Sequence, residues 1–306
     1  MALIFLNMRR PIIRSTITFC LLGIFLAAPF PAIAQQELPA RSEIEKLIRD
    51  SGGEVGLAFQ TLDGKQQLFL NDDKSFHAAS TMKIPVMIEL FAQVREGTIH
   101  LDDPLPVKND FKSIVDGSPY KLDATDDSDA DVYKAVGTTW TLRQLCEAMI
   151  THSSNLATNL IIEKLGAENI QHRVASLHAE GMVVLRGVED NKAFAAGKNN
   201  TTTARALLTL LQAIATNRAG DPDSCRDMME ILKRQTFNEA IPAGLPKGIL
   251  VAHKTGEITG VHHDAAIVLA PRPFVLVILV KGINDRDKSS ALMASIARAV
   301  YRASQD

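Results

Sequence analysis

Cysteine is scarce: the 306 residues hold three, and the first, Cys20, falls in an N-terminal leader. The other two, Cys146 and Cys225, are too few for a disulfide framework. The sequence leaves open whether they pair. Cys146 shares the apolar side of a helix pattern with Leu142, Leu145 and Met149, the setting of a buried free thiol. Positive charge is scarce too. Removing the three leader arginines from 33 basic against 35 acidic side chains takes the net charge from −2 to −5. Without a basic patch, no nucleic-acid partner is expected. Metal-binding motifs are missing: His262 and His263 are adjacent, and neither H-E-x-x-H nor C-x-x-C occurs, so no metal and no cofactor are expected. An apolar run of spanning length is also missing.

The leader itself is informative. Arg9, Arg10 and Arg14 precede a short apolar run from Ile17 to Ala28. Pro29 and Pro31 break that run, and Ala32-Ile33-Ala34 has the small-x-small pattern of a cleavage site. Residues 1–34 therefore read as an export signal cut after Ala34, giving a periplasmic or secreted protein with no membrane anchor after cleavage. Phe19 before Cys20 argues against a lipoprotein box. A monomer is the default, since nothing signals otherwise.

What the chain has is organised around Ser80-Thr81-Met82-Lys83. This stretch follows an extended segment, Phe76 to Ser80, and opens a helical pattern towards Phe91. A serine three residues before a lysine shares its helix face. Serine needs an adjacent base to attack, and a lysine held partly neutral by desolvation can serve. The helix N-terminus adds N–H groups suited to a developing oxyanion. Alone, such a string occurs on many solvated helices, so its weight comes from the motifs further along the chain.

In chain order, Arg41–Asp50 is an amphipathic helix stopped at Gly52-Gly53. Val55–Leu62 and Gln67–Leu70, joined at Asp63-Gly64, form a hairpin. Leu101–Thr138 is loop-like, and its acidic run Asp123–Asp131 reads as a solvated flap, without EF-hand spacing. Thr141–Gly166 is helical but interrupted at Thr151–Asn155, where short polar side chains compete with the helical backbone. Ala167–Glu180 is a helix stopped by Gly181. A loop follows from Gly187 to Thr201, and then helices begin at the Thr201–Thr203 cluster and at Asp221-Pro222. The chain closes with strands at Ile249–His253, Ala265–Leu269 and Phe274–Val280 and a helix over Lys288–Arg302. This order predicts an α+β fold. One antiparallel sheet comes from both chain ends (residues 37–79 and 247–306) and is flanked by terminal helices. An all-helical lobe (80–246) is inserted, and the site lies in the cleft between lobes.

Three elements line up in order: Ser80-x-x-Lys83, Ser153-Ser154-Asn155 and Lys254-Thr255-Gly256. By this trio the chain resembles the class A-like serine β-lactamase family of the β-lactamase and penicillin-binding protein superfamily. The resemblance runs over the whole of residues 35–306. It implies a serine hydrolase that opens a lactam through an acyl-serine. Ser80 is then the nucleophile, and its N–H and that of Glu257 form the oxyanion hole. Lys83 accepts the serine proton, and Ser153 passes one to the departing nitrogen. Lys254 and Thr255 hold the substrate carboxylate, beside Gly256, and Asn155 holds the side-chain amide.

The departures from the family pattern matter. Ser154 stands where the family usually has a supporting Asp, with modest consequences expected. Glu189 falls 34 positions after Asn155, where the family has the glutamate that activates the deacylating water. Its Glu-Pro-x-Leu-Asn surroundings are missing, however, and position 193 is not the water-holding Asn. Two readings of Glu189 stand: the deacylating base, or a loop carboxylate paired with Arg186. His263 falls near the family's carboxylate-binding arginine, as a weaker and pH-dependent anchor. The leading function is β-lactam hydrolysis. The alternatives are a D-Ala-D-Ala carboxypeptidase or esterase-like serine hydrolase, or a slowly deacylating penicillin-binding protein.

Overall fold

A computed structural model describes residues 36–305, with Met1 and Ala2. Apart from those two residues, the expected leader and its cleavage site after Ala34 lie outside the described residues.

The N-terminal part supplies β1 (Gln36–Glu37), α1 (Arg41–Ser51), β2 (Glu54–Thr61) and β3 (Gln66–Leu70). Gly52 ends α1 with φ +68°, in the left-handed region that a glycine enters at little cost. The turn from β2 to β3 is held by Thr61, whose hydroxyl donates to Asp63 at 2.6 Å. The helices of the middle are α2 (Lys83–Arg95), α3 (Ala130–Lys134), α4 (Leu142–Thr151), α5 (Asn155–Leu165), α6 (Ala167–Ser176), α7 (Asn191–Ala195), α8 (Ala204–Ala215) and α9 (Pro222–Leu232). The chain then returns as β4 (Leu250–Ile258), β5 (Val261–Leu269), β6 (Phe274–Lys281) and α10 (Arg286–Gln305).

Among the described residues these strands form a sheet in the order β1-β3-β2-β6-β5-β4. All pairings are antiparallel except β1 with β3. The α+β reading thus holds, with strands from both ends joined in one sheet through the β2–β6 pairing. β6 is buried at every position from Phe274 to Val280. Side chains alternate across a strand, so both faces of the sheet must be covered. Phe274, Leu276 and Ile278 pack with Ile44 of α1 and with Ile296 and Val300 of α10. Val275, Val277 and Leu279 pack with the apolar faces of the middle helices, including Leu207 and Leu211 of α8. Each fully buried aliphatic side chain of this kind stabilises the fold by about 1.5–3 kcal/mol.

α2 is the axis of the helical side. Its residues Lys83 to Ala92 are all buried, so no face of it meets water. Pro85 sits in its first turn, where the missing N–H is one that had no helical partner. The other helix starts follow the sequence signals: Thr141 with Gln144 forms a capping box on α4, Thr203 caps α8, and Asp221 caps α9 with Pro222 at the first position.

Several segments differ from the sequence reading, among them the expected 187–201 loop, which holds α7, and β5, which starts at Val261 and not at Ala265. Strand character at Phe76–Ser80 is confined to Phe76–His77, which pair with Thr201–Thr202, and Ser80 belongs instead to a 3-10 turn over Ala79–Met82. The 101–138 segment is not bare loop. Pro104–Pro106 pair with Thr139–Thr141, Phe111–Lys112 pair with Pro119–Tyr120, and α3 follows. α6 stops at Ser176, before the expected Glu180, and His178 turns left-handed at φ +55°. β4 continues beyond Lys254-Thr255-Gly256 to Ile258, so the motif lies inside the strand and Glu257 belongs to it as well. Cys146 and Cys225 are both free and buried, which resolves the pairing question against a bridge.

Candidate active site

Ser80 is reached through a strained approach. Ala79, just before it, holds φ +45°, and its N–H donates to His77 Nδ1 at 3.1 Å. A non-glycine residue in the left-handed region costs energy that the surroundings must supply. Thr81 fixes the other side of the serine by donating its hydroxyl to the Ala78 carbonyl at 2.6 Å. Ser80 itself is half-buried and lines a cavity of about 360 Å³ with Asn155, Glu189 and Glu257.

β4 presses on this turn. A Cβ at Gly256 would lie 3.0 Å from the amide nitrogens of both Ser80 and Thr81. Only a glycine lets the strand approach the start of α2 this closely. The motif Lys254-Thr255-Gly256 is thereby set against the serine.

Between α4 and α5 the chain breaks as expected. Ser153 takes φ +60°, and Ser154 caps α5 by accepting from the Ala157 N–H at 3.2 Å. The break delivers Ser153 and Asn155 to two lysines. Lys83 Nζ donates to the Ser153 carbonyl at 2.6 Å, to Ser153 Oγ at 3.2 Å and to Asn155 Oδ1 at 2.9 Å. Lys254 Nζ lies 2.9 Å from the same Ser153 Oγ and 2.8 Å from the Thr255 carbonyl. Both lysines are fully buried. Burial pushes Lys83 down from the usual lysine range to about 7, against the opposing pull of Asp127 and Glu189. Burial, with the positive charge of Lys83 beside it, holds Lys254 well below its ordinary value, while Asp264 opposes the shift. A hydroxyl held between two such amines can exchange a proton with either.

Glu189 stands on the far wall, at φ +60°. Its Oε1 accepts from Asn155 Nδ2 at 2.8 Å and its Oε2 from the Asp123 N–H at 3.2 Å. Burial raises its pKa above the ordinary carboxylate value, and the two hydrogen bonds resist that shift. The loop carrying it is anchored on α5: Asn159 accepts from Val188 N–H at 2.6 Å and donates to Val188 O at 3.0 Å. Asn159 thus pairs with the loop as a strand neighbour would. On the other side, Asp190 accepts from Ser113 Oγ and the Ile114 N–H, both at 2.9 Å, which ties the loop to the 111–120 ribbon.

Arg186 does not pair with Glu189. Its guanidinium donates to the Lys198 and Gly187 carbonyls at 2.9 Å and to Asn199 Oδ1 at 3.2 Å, so it braces the loop from within. His263 is not brought to the cleft surface. It is fully buried, with Nε2 at 2.9 Å from the His77 carbonyl and Nδ1 accepting from the Val280 N–H at 3.1 Å. Burial lowers its pKa to about 4, so the ring is neutral near pH 7 and both nitrogens are spent on backbone. An anchor for a substrate carboxylate needs an exposed donor, which this histidine lacks. The guanidinium near that end of β4 belongs instead to Arg286, whose Nε donates to Glu257 Oε2 at 3.0 Å.

Sequence reading missed Arg286 and Asp127. Arg286 opens α10, and no local pattern sets it apart from other basic helix residues. Asp127 sits in the acidic run that reads as a solvated flap, yet its Oδ2 accepts from the Asn155 and Leu156 N–H groups at 2.9 and 3.0 Å. The one signal for it was indirect: the absence of a carboxylate at position 154. Among the described residues no cluster of three or more His, Cys, Asp or Glu is placed to hold a metal ion, and no helix is long and apolar enough to cross a membrane.

Known proteins share this family profile and this fold. The profile of the β-lactamase enzyme family matches residues 39–304. A β-lactamase of Bacillus licheniformis is 33% identical over 181 residues, which span 56% of this chain and 58% of that protein. A β-lactamase of Amycolatopsis lactamdurans is 28% identical over 286 residues, 90% of this chain and 89% of that protein. Among solved structures, PBP-A superposes with a TM-score of 0.76 at 30% identity, covering 88% of this chain and 97% of its own. A point mutant of PBP-A, solved as an acyl-enzyme complex with penicillin-G, superposes with a TM-score of 0.74 at 29% identity, covering 88% and 98%.

Proposed function

Since the chain belongs to the β-lactamase enzyme family, we propose that it hydrolyses β-lactams through an acyl-serine at Ser80. The observation that carries this reading is Ser153 Oγ, held 3.2 Å from Lys83 Nζ and 2.9 Å from Lys254 Nζ beside the serine turn. Ser80 Oγ attacks the lactam carbonyl, and its proton passes to neutral Lys83. A lysine titrating near 7 is neutral often enough to do this at neutral pH. The Ser80 and Glu257 N–H groups stabilise the oxyanion. The C–N bond then breaks as Ser153 delivers its hydroxyl proton to the leaving nitrogen and is reprotonated from the lysine side. For deacylation, Glu189 takes a proton from water as the water attacks the acyl carbonyl, and the serine oxygen recovers a proton as it leaves.

Asn155 and Thr255 contact the substrate, Lys254 supplies positive potential, and Gly256 keeps β4 close to the serine. The PBP-A mutant in its acyl-enzyme complex with penicillin-G is support for acylation by a β-lactam in this fold. Residues 35–306 act as one catalytic domain and as a monomer, exported by the leader at 1–34. N-terminal sequencing of the exported protein should begin at Gln35.

A second reading is favoured by one feature. Both Glu189 oxygens are already engaged by Asn155 and Asp123, and position 193 is a buried alanine with no polar group for a water. A slowly deacylating penicillin-binding protein, or a D-Ala-D-Ala carboxypeptidase, fits that arrangement. Mixing the protein with a chromogenic cephalosporin, with colour and intact mass followed together, separates the two. Continuous colour supports hydrolysis. One equivalent of colour with a persistent adduct replaces hydrolysis by the second reading. No adduct and no colour removes β-lactams as substrates.

A further inference from the structure

Ser154 occupies a place where the family pattern has a carboxylate, and the structure puts a carboxylate back from elsewhere. Asp127 lies 27 positions earlier in the chain, on the segment ahead of α3. Its Oδ2 receives the Asn155 N–H at 2.9 Å, the Leu156 N–H at 3.0 Å and, more weakly, the Ser154 hydroxyl at 3.4 Å. Ser154 in turn accepts from Ala157 N–H, so hydroxyl and carboxylate together cover the first turn of α5. An unpaired N–H at a buried helix start is costly, and a carboxylate is its strongest partner.

We infer that Asp127 is a positioning residue that supplies from the 101–138 segment the carboxylate missing at position 154, holding Ser153 and Asn155 in register with Lys83. The turn it grips is the left-handed one at Ser153, with φ +60°. The two residues that flank Ser154 are the ones that meet Lys83. Losing the grip would let both drift, and a displacement of about 1 Å at reacting groups costs on the order of 100-fold in rate.

Asp127 also acts through its charge. The charged and titratable groups facing Lys83 are Asp127, Glu189 and Lys254. Those near Asp127 are Lys83 on α2, Tyr133 on α3 and Glu189 on its loop. Asp127 holds the Lys83 proton on, against desolvation, so its loss lowers the pKa of Lys83 further.

The test is a cycle of four variants: Asp127→Ala, Asp127→Asn, Ser154→Asp and the double variant Asp127→Ala/Ser154→Asp. Single-turnover acylation by penicillin-G is followed by intact mass from pH 5 to 9. Asp127→Ala should acylate about 10–100-fold more slowly. Ser154→Asp alone should also be slow, since two carboxylates then meet at one helix start. The double variant should recover most of the rate, because the carboxylate has been moved and not removed. Asp127→Asn keeps an acceptor but no charge. It should stay within a few fold of wild type at its optimum, with the acid limb moved to lower pH, a shift that a purely structural role would not produce.

Wild-type acylation by Asp127→Ala, or a double variant no faster than Asp127→Ala, overturns the inference. An acid limb unmoved in Asp127→Asn overturns its electrostatic part. The inference rests on the acyl-serine reading, but the two fail differently. If wild type neither forms an adduct nor consumes penicillin-G, the acyl-serine reading falls, and thermal unfolding still judges the cap. Asp127→Ala should then lower Tm by about 2–4 °C, with recovery in the double variant, and no recovery overturns the inference.

Discussion

Lys83 and Glu189 are joined by one side-chain amide: Asn155 accepts from the lysine through Oδ1 at 2.9 Å and donates to the carboxylate through Nδ2 at 2.8 Å. The amide's polarity matches both partners and cannot be reversed without losing both bonds. The groups assigned to the first and second half-reactions are therefore positioned by a single residue.

Asn155→Ala should slow acylation and deacylation together, each by at least about 10-fold. Asn155→Asp should behave differently. A new carboxylate beside Lys83 raises the lysine pKa, so the acid limb of acylation moves to higher pH, while Glu189 is repelled. Pre-steady-state acylation across pH 5–9 checks both, and an unmoved limb in Asn155→Asp would contradict the shared-amide account.

Glu189→Gln should leave acylation near wild type and reduce deacylation about 100- to 10,000-fold, the usual weight of a general base. The adduct should persist in the intact mass. Undiminished turnover in this variant would return Glu189 to a loop carboxylate.

The buried lysines carry a stability cost with a definite pH dependence. Lys83 titrates near 7 in the folded protein against 10.5 in its ordinary environment. Between those values the unfolded chain binds more protons, so stability rises with pH from about 7 to about 10. Lys254, also depressed, adds slope of the same sign. Lys83→Met should raise Tm, on the order of 5 °C at pH 7, and flatten the slope, while abolishing acylation. Unfolding midpoints at pH 7, 8 and 9 read this directly, and an equal slope in wild type and variant refutes it.

Glu257 and Arg286 form a partly exposed pair at the rim of the cleft, with side chains 47% and 41% exposed. Arg286→Ala should leave a bare carboxylate beside the cavity and raise KM for anionic β-lactams several-fold, with kcat little changed. Glu257→Gln should lower KM. Both effects should shrink as salt rises, and salt-independent changes would point to altered packing instead.

The parts legible from sequence were those written in local signals. The helix that opens after Ser80, the α4–α5 break and the β2–β3 hairpin each depend on residues within a few positions of one another. So do the caps at Thr141, Thr203 and Asp221. The less legible parts depend on distant chain. Asp127 looked like one more aspartate in an acidic flap because its partners lie 28 and 29 positions later. His263 looked like a substrate contact because it falls near the family's carboxylate-binding arginine, and burial cannot be read from that alignment. β5, however, is buried from Val261 to Val268, with helices on one side and the serine turn on the other. The 104–106 and 139–141 ribbon escaped notice because each half is only three residues long.

Gly256 has a consequence for how such a protein can change. The clearance between β4 and the serine turn is the thickness of a bare backbone, since even a methyl group there would sit 3.0 Å from two amide nitrogens. Any side chain would work as a wedge and prise the strand from the turn. The fold can vary its walls, where Phe194 and Ile258 are exposed, but this gap has no slack. Variation in what the cleft accepts must therefore come from its rim and its loops, while the spacing of its floor stays fixed.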